Sequence, residues 1–377
     1  MILKNVTFYN ELFELEAGDI KIENGKIAEI GIIDMAGENC EGLIAMPGFI
    51  DIHIHGRAGA DASDGTAEAI EVMADSLAKA GVTSFCPTTM TLPVEKLQNL
   101  GEIIGTFAEN QKSGAKVLGI NFEGPFISKE KKGAQNEAFI KAGNIEDFEK
   151  IYTSSHGLMK LMTVAPEAFP SDDFIKTASK KCSVSIGHSA ANAKECQRAV
   201  DCGANHATHL YNAMTPMAHR EAGIVGTVLD NEGVMCELIC DGAHVSPAVL
   251  RNTFKILGEN RGIVISDSMR AAGLGEGEFE LGGQQVFVDE GAKYARLQNG
   301  TIAASITNVF EEFKNLISFG IGIKTALKAC TINPAKSIGA QNRVGSIATG
   351  KEADIIFVDE NLNLKAVMIN GRWSVGI

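Results

Sequence analysis

The stretch Phe49-Ile50-Asp51-Ile52-His53-Ile54-His55-Gly56 alternates apolar and polar side chains over the length of a whole strand. Because successive side chains of a strand point to opposite faces, Asp51, His53 and His55 share one face and three isoleucines share the other. Strands of a parallel barrel are buried on both faces, so this polar face must point into the barrel mouth. The stretch therefore predicts a first barrel strand, and two imidazoles at its end predict metal ligands.

Seven further runs of strand-like sequence follow, each succeeded by a helix-like or loop stretch. The eight runs cover residues 48–56, 83–89, 117–124, 160–165, 183–189, 206–212, 235–241 and 262–269. Amphipathic helices are predicted at 66–80 and 191–202, the second ending before Gly203. Strands that alternate with helices form parallel β/α units, and eight units predict an α/β protein with a (β/α)8 TIM barrel.

Both ends of the chain have a different pattern, that of short strands joined by tight turns. Strands are predicted at 2–9, 19–22 and 26–30, the last two flanking Asn24-Gly25, and again at 353–358 and 366–369, the last followed by Asn370-Gly371. Asn-Gly between alternating runs is a strong hairpin signal. We therefore predict a small β-sandwich domain built from residues 1–45 and 343–377, with the barrel formed by residues 46–342.

Composition and charge exclude several classes of protein. The 377 residues carry a net charge of −13, which argues against nucleic acid and anionic membranes as partners. No apolar run approaches the roughly 18 residues that span a bilayer, and the N-terminal residues do not resemble a signal peptide. The eight cysteines are scattered and contain no CxxC pair, which favours reduced thiols. We expect a soluble cytoplasmic protein.

Polar side chains recur where the predicted barrel strands end, which is the end that carries the active site of such barrels. Glu123, His188 and His209 end the third, fifth and sixth runs. Three protein ligands that leave a fourth position for water are typical of a catalytic zinc site. Alone, Glu123 could equally be a solvated glutamate, but its neighbours in the pattern favour ligation. His53 and His55 are then candidates for a second ion.

The remaining candidates follow from the same positions. His206 and His209 are three residues apart, so in a regular strand they face opposite ways and only one points into the barrel. We choose His209, which is nearer the strand's end, and expect His206 to be structural. Asp267 ends the eighth run, where an unpaired buried carboxylate would be costly. His244 lies just past the seventh run, and Asp241 before it is a weaker candidate that shapes the turn.

Together these stretches resemble the amidohydrolase superfamily, most closely its N-acetylglucosamine-6-phosphate deacetylases. The motifs that carry the resemblance span nearly the whole chain in the family's order. They are Pro47-Gly48-Phe49-Ile50-Asp51-Ile52-His53-Ile54-His55-Gly56, Glu123-Gly124-Pro125-Phe126, Gly187-His188-Ser189, His209-Leu210-Tyr211-Asn212-Ala213-Met214, Asp241-Gly242-Ala243-His244 and Ser266-Asp267-Ser268-Met269.

The resemblance implies roles for these residues. Glu123, His188 and His209 match the family's metal ligands, with zinc expected, iron as the alternative, and one or two ions per subunit. Asp267 matches the general acid/base, and His244 matches a residue that polarises the substrate carbonyl.

Substrate contacts are also implied by the resemblance. Asn212, Ala213 and Arg220 match contacts to a sugar phosphate, with Arg220 and His219 reaching across a homodimer interface. Gln135 stands where other members often have histidine, which leaves the substrate contact of its loop open. The expected reaction hydrolyses the acetamide of N-acetylglucosamine 6-phosphate, in amino-sugar catabolism and cell-wall recycling.

Two alternatives stay open. One is another barrel amidohydrolase acting on a cyclic amide, such as a dihydroorotase or hydantoinase. Those enzymes use a modified lysine at the end of the fourth strand, whereas here that run ends Thr163-Val164-Ala165 and Lys160 lies at its start. The other is a non-catalytic assembly protein of the same fold, against which the complete set of candidate ligands argues.

Overall fold

The computed structural model describes residues 1–169 and 171–376. The strands are β1 (Ile2–Tyr9), β2 (Leu15–Glu23), β3 (Lys26–Gly31), β4 (Glu38–Asn39), β5 (Ile44–Pro47), β6 (Phe49–Ile54), β7 (Gly56–Arg57), β8 (Ala60–Asp61), β9 (Val82–Thr89), β10 (Lys116–Val117), β11 (Ile120–Glu123), β12 (Met159–Val164), β13 (Ser183–Ile186), β14 (His206–Ala207), β15 (Met235–Ile239), β16 (Gly262–Ile265), β17 (Gly277–Leu281), β18 (Gln284–Val288), β19 (Tyr294–Leu297), β20 (Ile302–Ser305), β21 (Ile355–Val358), β22 (Leu364–Ile369) and β23 (Arg372–Val375). The helices are α1 (Ala67–Lys79), α2 (Val94–Asn110), α3 (Ile145–Ser154), α4 (Asp173–Ala178), α5 (Ala193–Asp201), α6 (Gly223–Asp230), α7 (Pro247–Leu257), α8 (Val309–Ser318), α9 (Ile323–Cys330) and α10 (Ile332–Ser337), with short 3-10 helices at Ala62–Asp64, Glu137–Phe139 and Pro166–Ala168.

A parallel barrel occupies the middle of the chain and confirms the predicted (β/α)8 fold. Its strands pair in the order β6, β9, β11, β12, β13, β14, β15 and β16, with β10 continuing the third strand alongside β9. Just beyond β16 the ring closes on β6, where the amide of Asp267 donates to the carbonyl of His53 at 2.9 Å and the amide of His55 donates to Ser268 at 2.9 Å. The strand ends therefore converge on one mouth.

Helices α1 to α8 each follow one barrel strand. The predicted helices at 66–80 and 191–202 correspond to α1 and α5. The Thr66 side chain caps α1 by accepting from the amide of Ala69. Gly203 follows α5 with a φ of 109°, in the positive range that the predicted helix stop requires.

Both termini contribute to one sheet at the side of the barrel. Its strands run β23-β22-β21-β5-β1-β2-β3, with β4 beside β1, and most neighbours are antiparallel. Asn24 and Gly25 have φ of 51° and 78°, and Asn370 and Gly371 have φ of 50° and 69°, as a two-residue hairpin with two positive φ angles requires. Both Asn-Gly hairpins are thus confirmed.

One element has no counterpart in the sequence-based prediction. Strands β17 to β20 form an antiparallel four-stranded sheet inserted between β16 and α8. The last strand of this sheet, β20, ends at the barrel mouth, where the amide of Ser305 donates to the carbonyl of Asp267 at 3.0 Å. The signals were present, because Gly282-Gly283 and Asn299-Gly300 each lie between short alternating runs.

Two simpler expectations concern membranes and cysteines. Among the described residues, no helix is both long enough and apolar enough to cross a bilayer. All eight cysteines lie in the described part of the chain as free thiols, most of them buried.

Candidate active site

The candidate ligands lie where the chain turns out of the barrel strands. His188, His209 and Asp267 follow β13, β14 and β16, with φ of 47°, 26° and 47°. Side chains other than glycine rarely adopt positive φ, and each such position costs about 1–3 kcal/mol. Three such positions at one barrel mouth indicate that the surrounding structure holds these side chains in place for a purpose other than stability.

Glu123, at the end of β11, is the centre of the site. Its Oε1 lies 3.1 Å from His188 Nε2, 3.0 Å from His209 Nε2 and 3.4 Å from His53 Nε2. Its Oε2 lies 3.2 Å from His55 Nε2. The carboxylate thus joins two groups that could each hold a metal ion, one with His188 and His209 and the other with His53 and His55.

The tautomers of three histidines are fixed by hydrogen bonds at Nδ1, the ring nitrogen that faces away from Glu123. Nδ1 of His188 donates to the carbonyl of Lys131 at 2.8 Å, and Nδ1 of His55 donates to the carbonyl of Thr88 at 3.2 Å. Nδ1 of His53 lies 2.9 Å from Glu237 Oε2. With its proton on Nδ1, each neutral ring directs a lone pair from Nε2 toward the centre of the site.

These lone pairs meet another acceptor, the carboxylate of Glu123. The Nε2 atoms of His188 and His209 are also only 3.1 Å apart, and Nε2 of His53 is buried without a hydrogen-bond partner. Acceptors that face one another at these distances need a cation between them. Nitrogen and carboxylate donors in this number suit zinc and similar divalent ions, so the residues present fit a metal centre.

The charges within the site lead to the same conclusion. Burial alone would raise the pKa of Glu123, but His188 and His53 outweigh it and hold that pKa well below its usual range. Burial would lower the pKa of His55, but Asp267 and Glu123 outweigh it and raise the pKa to about 10. In the absence of a metal ion, protons are therefore held tightly among these acceptors.

Asp267 and His244 are the two other ionisable candidates at the barrel mouth. Asp267 Oδ1 lies 3.3 Å from His55 Nε2 and 3.5 Å from His53 Nε2, beside the candidate metal ligands. His244 lies in the loop after β15, with its Nδ1 2.6 Å from Asp241 Oδ2. Asp241, expected only to shape a turn, also holds this imidazole.

A cavity of about 380 Å³ opens above these groups. It brings together most of the candidates from the sequence with residues of two loops and of the inserted sheet. Its lining consists of His55, Met90, Glu123, Glu130, Lys131, Gly133, Ala134, Gln135, His188, His209, Asn212, Ala213, His244, Asp267, Leu281, Thr301, Ile302 and Ala303. The volume is at the lower end of the range for small-molecule sites.

Gln135 lies at the wall of this cavity and contacts the metal-binding group directly. Its Nε2 donates to Glu123 Oε2 at 2.5 Å, and its Oε1 accepts from the amide of Thr91 at 2.7 Å. The side chain is buried. The amide therefore orients the Glu123 carboxylate, a contact that the sequence did not indicate.

His219 and Arg220 are the two candidates that the single chain leaves apart from the site. Both are exposed in the loop between Ala213 and α6. Neither lines the cavity beside Glu123. Within one subunit they lie apart from the candidate metal ligands.

One expectation about the sixth strand is wrong. β14 ends at Ala207, and the positive φ of His209 turns its side chain inward, so His206 and His209 do not alternate as in a regular strand. His206 is buried with its Nδ1 3.2 Å from Ser185 Oγ and 3.6 Å from Glu237 Oε1. Both histidines face the barrel interior, and the choice of His209 as the residue beside Glu123 agrees with the geometry.

Glu237 is the residue of the site that the sequence analysis missed. It lies on β15, fully buried, and contacts His53 and His206 through its carboxylate while accepting from the amide of His209 at 3.2 Å. A signal existed in Met235-Cys236-Glu237-Leu238-Ile239, which places one carboxylate within an apolar strand. Like Asp267, Glu237 is a buried carboxylate, and such a group needs a partner for its charge.

The model of the amidohydrolase family matches residues 44–374. The chain belongs to the amidohydrolase family. N-acetylglucosamine-6-phosphate deacetylase from Bacillus subtilis is 34% identical to this amidohydrolase over 99% of the chain and 96% of the relative. The family's fold and its metal-dependent hydrolytic chemistry agree with the barrel and the His/Glu groups described above.

Two solved structures of amidohydrolases extend the comparison. N-acetylglucosamine-6-phosphate deacetylase from Pasteurella multocida superimposes with a TM-score of 0.92 at 29% identity, covering 100% of this chain and 99% of that one. A mutant of the Mycobacterium smegmatis deacetylase in complex with N-acetyl-D-glucosamine-6-phosphate superimposes with a TM-score of 0.92 at 26% identity, covering 100% and 99%. The likeness therefore extends over the terminal sheet and the barrel together.

Proposed function

We propose that this amidohydrolase hydrolyses the acetamide of N-acetyl-D-glucosamine 6-phosphate, releasing acetate and glucosamine 6-phosphate, in amino-sugar catabolism and cell-wall recycling. The observation that carries the proposal is the convergence of Glu123, His188 and His209 on one point, with the Asp267 carboxylate beside them at the wall of a cavity. The activity named for the full-length relatives supports the choice of substrate.

Glu123, His188 and His209 would hold the catalytic ion, with zinc proposed and iron as the alternative. Such an ion lowers the pKa of water toward 7 and polarises carbonyl oxygens. A second ion would use His53 and His55, since Glu123 presents one oxygen to each group. The proposed stoichiometry is therefore one or two ions per subunit.

The chain's own groups account for the proton transfers. Asp267 accepts a proton from the attacking water as the new bond to the acetyl carbon forms. The same carboxyl group then delivers that proton to the sugar nitrogen as the carbon–nitrogen bond breaks. His244, across the cavity, polarises the carbonyl, while Asn212 and Ala213 contact the sugar phosphate.

The phosphate group of the substrate needs positively charged side chains to bind it, and the cavity lining offers few of them. Among the described residues, Lys131 is the only lysine or arginine that lines it. We propose that Arg220 and His219 act on the phosphate bound by the partner subunit of a homodimer. Exposed apolar side chains near this loop support an interface there, with Met217 58% exposed and Ile256 53% exposed along one groove.

We also propose that the protein is located in the cytoplasm, where thiols stay reduced, because its eight cysteines are free.

The cyclic-amide alternative lacks support at the fourth strand. Lys160 lies near the start of β12, where its Nζ donates to the carbonyl of Gly157 at 3.2 Å in an exposed position. Thr163, near the end of that strand, hydrogen-bonds to Thr208. A lysine that bridges two ions has no counterpart at this position.

An acetate-release assay on the metal-loaded chain tests the proposed function. We expect turnover of N-acetylglucosamine 6-phosphate, much weaker turnover of unphosphorylated N-acetylglucosamine, and none of dihydroorotate or hydantoin. N-acetylgalactosamine 6-phosphate in the same assay measures selection between sugar epimers. Cyclic-amide hydrolysis without acetate release would replace the proposal, and loss of all activity in metal-replete protein would leave the non-catalytic alternative.

A further inference from the structure

Gln135 lies in the loop that follows β11, and both polar atoms of its side chain are engaged by the protein. Its Oε1 accepts from the amide of Thr91 at 2.7 Å, and its Nε2 donates to Glu123 Oε2 at 2.5 Å. Only the oxygen of the side-chain amide can accept from the Thr91 amide, so the NH2 group must face Glu123. The side chain is 2% exposed, and Gln135 therefore presents a fixed donor to one oxygen of Glu123.

The two oxygens of the Glu123 carboxylate face different candidate ion sites. Oε1 lies 3.1 Å from His188 Nε2 and 3.0 Å from His209 Nε2, and these three residues form the first group. Oε2 lies 3.2 Å from His55 Nε2, and Glu123, His53 and His55 form the second group. The fixed donor therefore acts on the oxygen that faces the second group.

This hydrogen bond limits how the Glu123 carboxylate can bind ions. A carboxylate oxygen has two lone pairs, so the bond from Gln135 leaves one lone pair of Oε2 for an ion. His53 does not hold Oε2 in place, because its Nε2 faces Oε1, at 3.4 Å. Without the donor, Oε2 can turn toward the first group, since carboxylates bind an ion through one oxygen or through both. The second group would then keep only its two histidines.

We propose that Gln135 is a positioning residue that keeps the Glu123 carboxylate divided between the two groups, one oxygen to each, and so allows the site to hold two ions. This inference rests on the metal centre of the proposed function and is independent of its substrate. Gln135 binds neither ion in this arrangement, because both of its polar atoms are used in holding the carboxylate.

A general role of the loop in stability would have a different consequence. The carbonyl of Lys131 in the same loop accepts from His188 Nδ1 at 2.8 Å, so a disordered loop would release a ligand of the first group. Loss of the Gln135 donor alone leaves that contact intact and frees only Oε2. A structural role therefore predicts a weakened first ion, and the positioning role predicts a weakened second ion.

Gln135→Met tests this difference, because methionine has a similar length and no N–H to donate. Zinc binding is measured by chelator competition and elemental analysis on the whole chain. We expect the wild type to bind two zinc ions. In the variant, affinity for the second ion should fall by about 10- to 100-fold, with little change for the first. His55→Ala, which retains only the first group, identifies which of the two measured affinities belongs to the first ion.

Gln284→Met is the matched control. Gln284 of the inserted sheet holds the same loop through a buried-side contact, its Nε2 donating to the carbonyl of Ala134 at 2.5 Å, and it makes no hydrogen bond to Glu123. This variant should bind both ions as the wild type does. An unchanged second ion in Gln135→Met, or a loss confined to the first ion, would overturn the proposal. A wild type that binds only one ion would overturn it as well, and one that binds none would also reject the proposed metal centre.

Crystals of the zinc-loaded wild type test the proposal without any variant. We expect Glu123 Oε1 on the first ion, Oε2 on the second, and Gln135 Nε2 still within hydrogen-bond distance of Oε2. In zinc-loaded Gln135→Met, we expect both oxygens of Glu123 on the first ion. A wild-type structure in which Gln135 has moved away from Glu123 while two ions are bound would show that the amide is not needed. Two bound ions without release of acetate would leave this inference standing and reject the proposed activity.

Discussion

At the scale of single residues, the proposed acid/base role of Asp267 can be tested most directly. Its Oδ1 lies within 3.5 Å of two histidines beside Glu123. Asp267→Asn keeps the shape but cannot accept a proton from water, so turnover should fall by about 100-fold or more. Metal content, measured by elemental analysis, should stay at the wild-type value. Near-normal turnover would move the acid/base role to another residue, with His244 the next candidate.

Metal affinity should depend on pH in a direction set by the same cluster. Burial would lower the pKa values of His188 and His55, but nearby carboxylates raise both, that of His55 to about 10. The metal-free site therefore holds protons at neutral pH, and an ion must displace them. Affinity should rise about tenfold per pH unit for each displaced proton, as measured by chelator competition between about pH 6 and 8. An affinity independent of pH in that range contradicts this account.

The positions of the candidate ligands could be predicted because each lies at or near the end of a strand whose direction the apolar pattern reveals. His53, His55, Glu123 and Asp267 all lie near one another as expected. The orientation of His206 could not be predicted, since a positive φ at His209 breaks the strand alternation on which the argument relied.

At the scale of secondary-structure elements, α5 offers a direct test of local sequence signals. The Asn192 side chain accepts from the amides of Lys194 and Glu195, and the Glu195 carboxylate accepts from the amide of Asn192. Asn192→Ala should lower the free energy of unfolding by about 1 kcal/mol, whereas Asn192→Asp, which also caps, should cost far less. Urea denaturation followed by circular dichroism measures both. Equal losses in the two variants would show that the cap is unimportant.

Strands and helices with regular periods were predictable, and the eight barrel strands and both Asn-Gly hairpins were found. The inserted sheet was missed because its strands have only four or five residues and are partly exposed, so their alternation is weak. Its turn signals, Gly282-Gly283 and Asn299-Gly300, carried the information instead. The insertion matters for function, since Leu281 and residues 301–303 line the cavity.

At the scale of the whole molecule, the proposed dimer predicts that subunits share their phosphate sites. Arg220→Ala should lower kcat/KM for the phosphorylated sugar by roughly 10- to 150-fold, because charge-assisted bonds contribute about 1.5–3 kcal/mol each. Activity on unphosphorylated N-acetylglucosamine should barely change. Equal loss on both sugars would show that Arg220 supports structure.

Mixing Arg220→Ala subunits with Asp267→Asn subunits extends this test to the interface. A purified mixed dimer should recover about half of its active sites, and a random mixture about a quarter, because one site combines an intact arginine with an intact carboxylate. Verified mixed dimers without any rescue would place Arg220 in the site of its own subunit.

The architecture of one subunit was predictable because period-two and helical patterns extend over the whole chain. The homodimer follows only from the family resemblance and stays a prediction, since His219 and Arg220 are two exposed residues of a loop, and exposure alone does not distinguish an interface from solvent.

Glu123, His188 and His209 are the residues proposed to bind the catalytic ion. Anomalous X-ray diffraction at the zinc edge, on crystals of zinc-loaded protein, measures this directly. We predict a peak about 2.0–2.2 Å from a carboxylate oxygen of Glu123 and from Nε2 of His188 and His209. A further peak between His53, His55 and Glu123 would show a second ion. No peak among Glu123, His188 and His209, or zinc held elsewhere while those three residues stay unbound, would contradict the account.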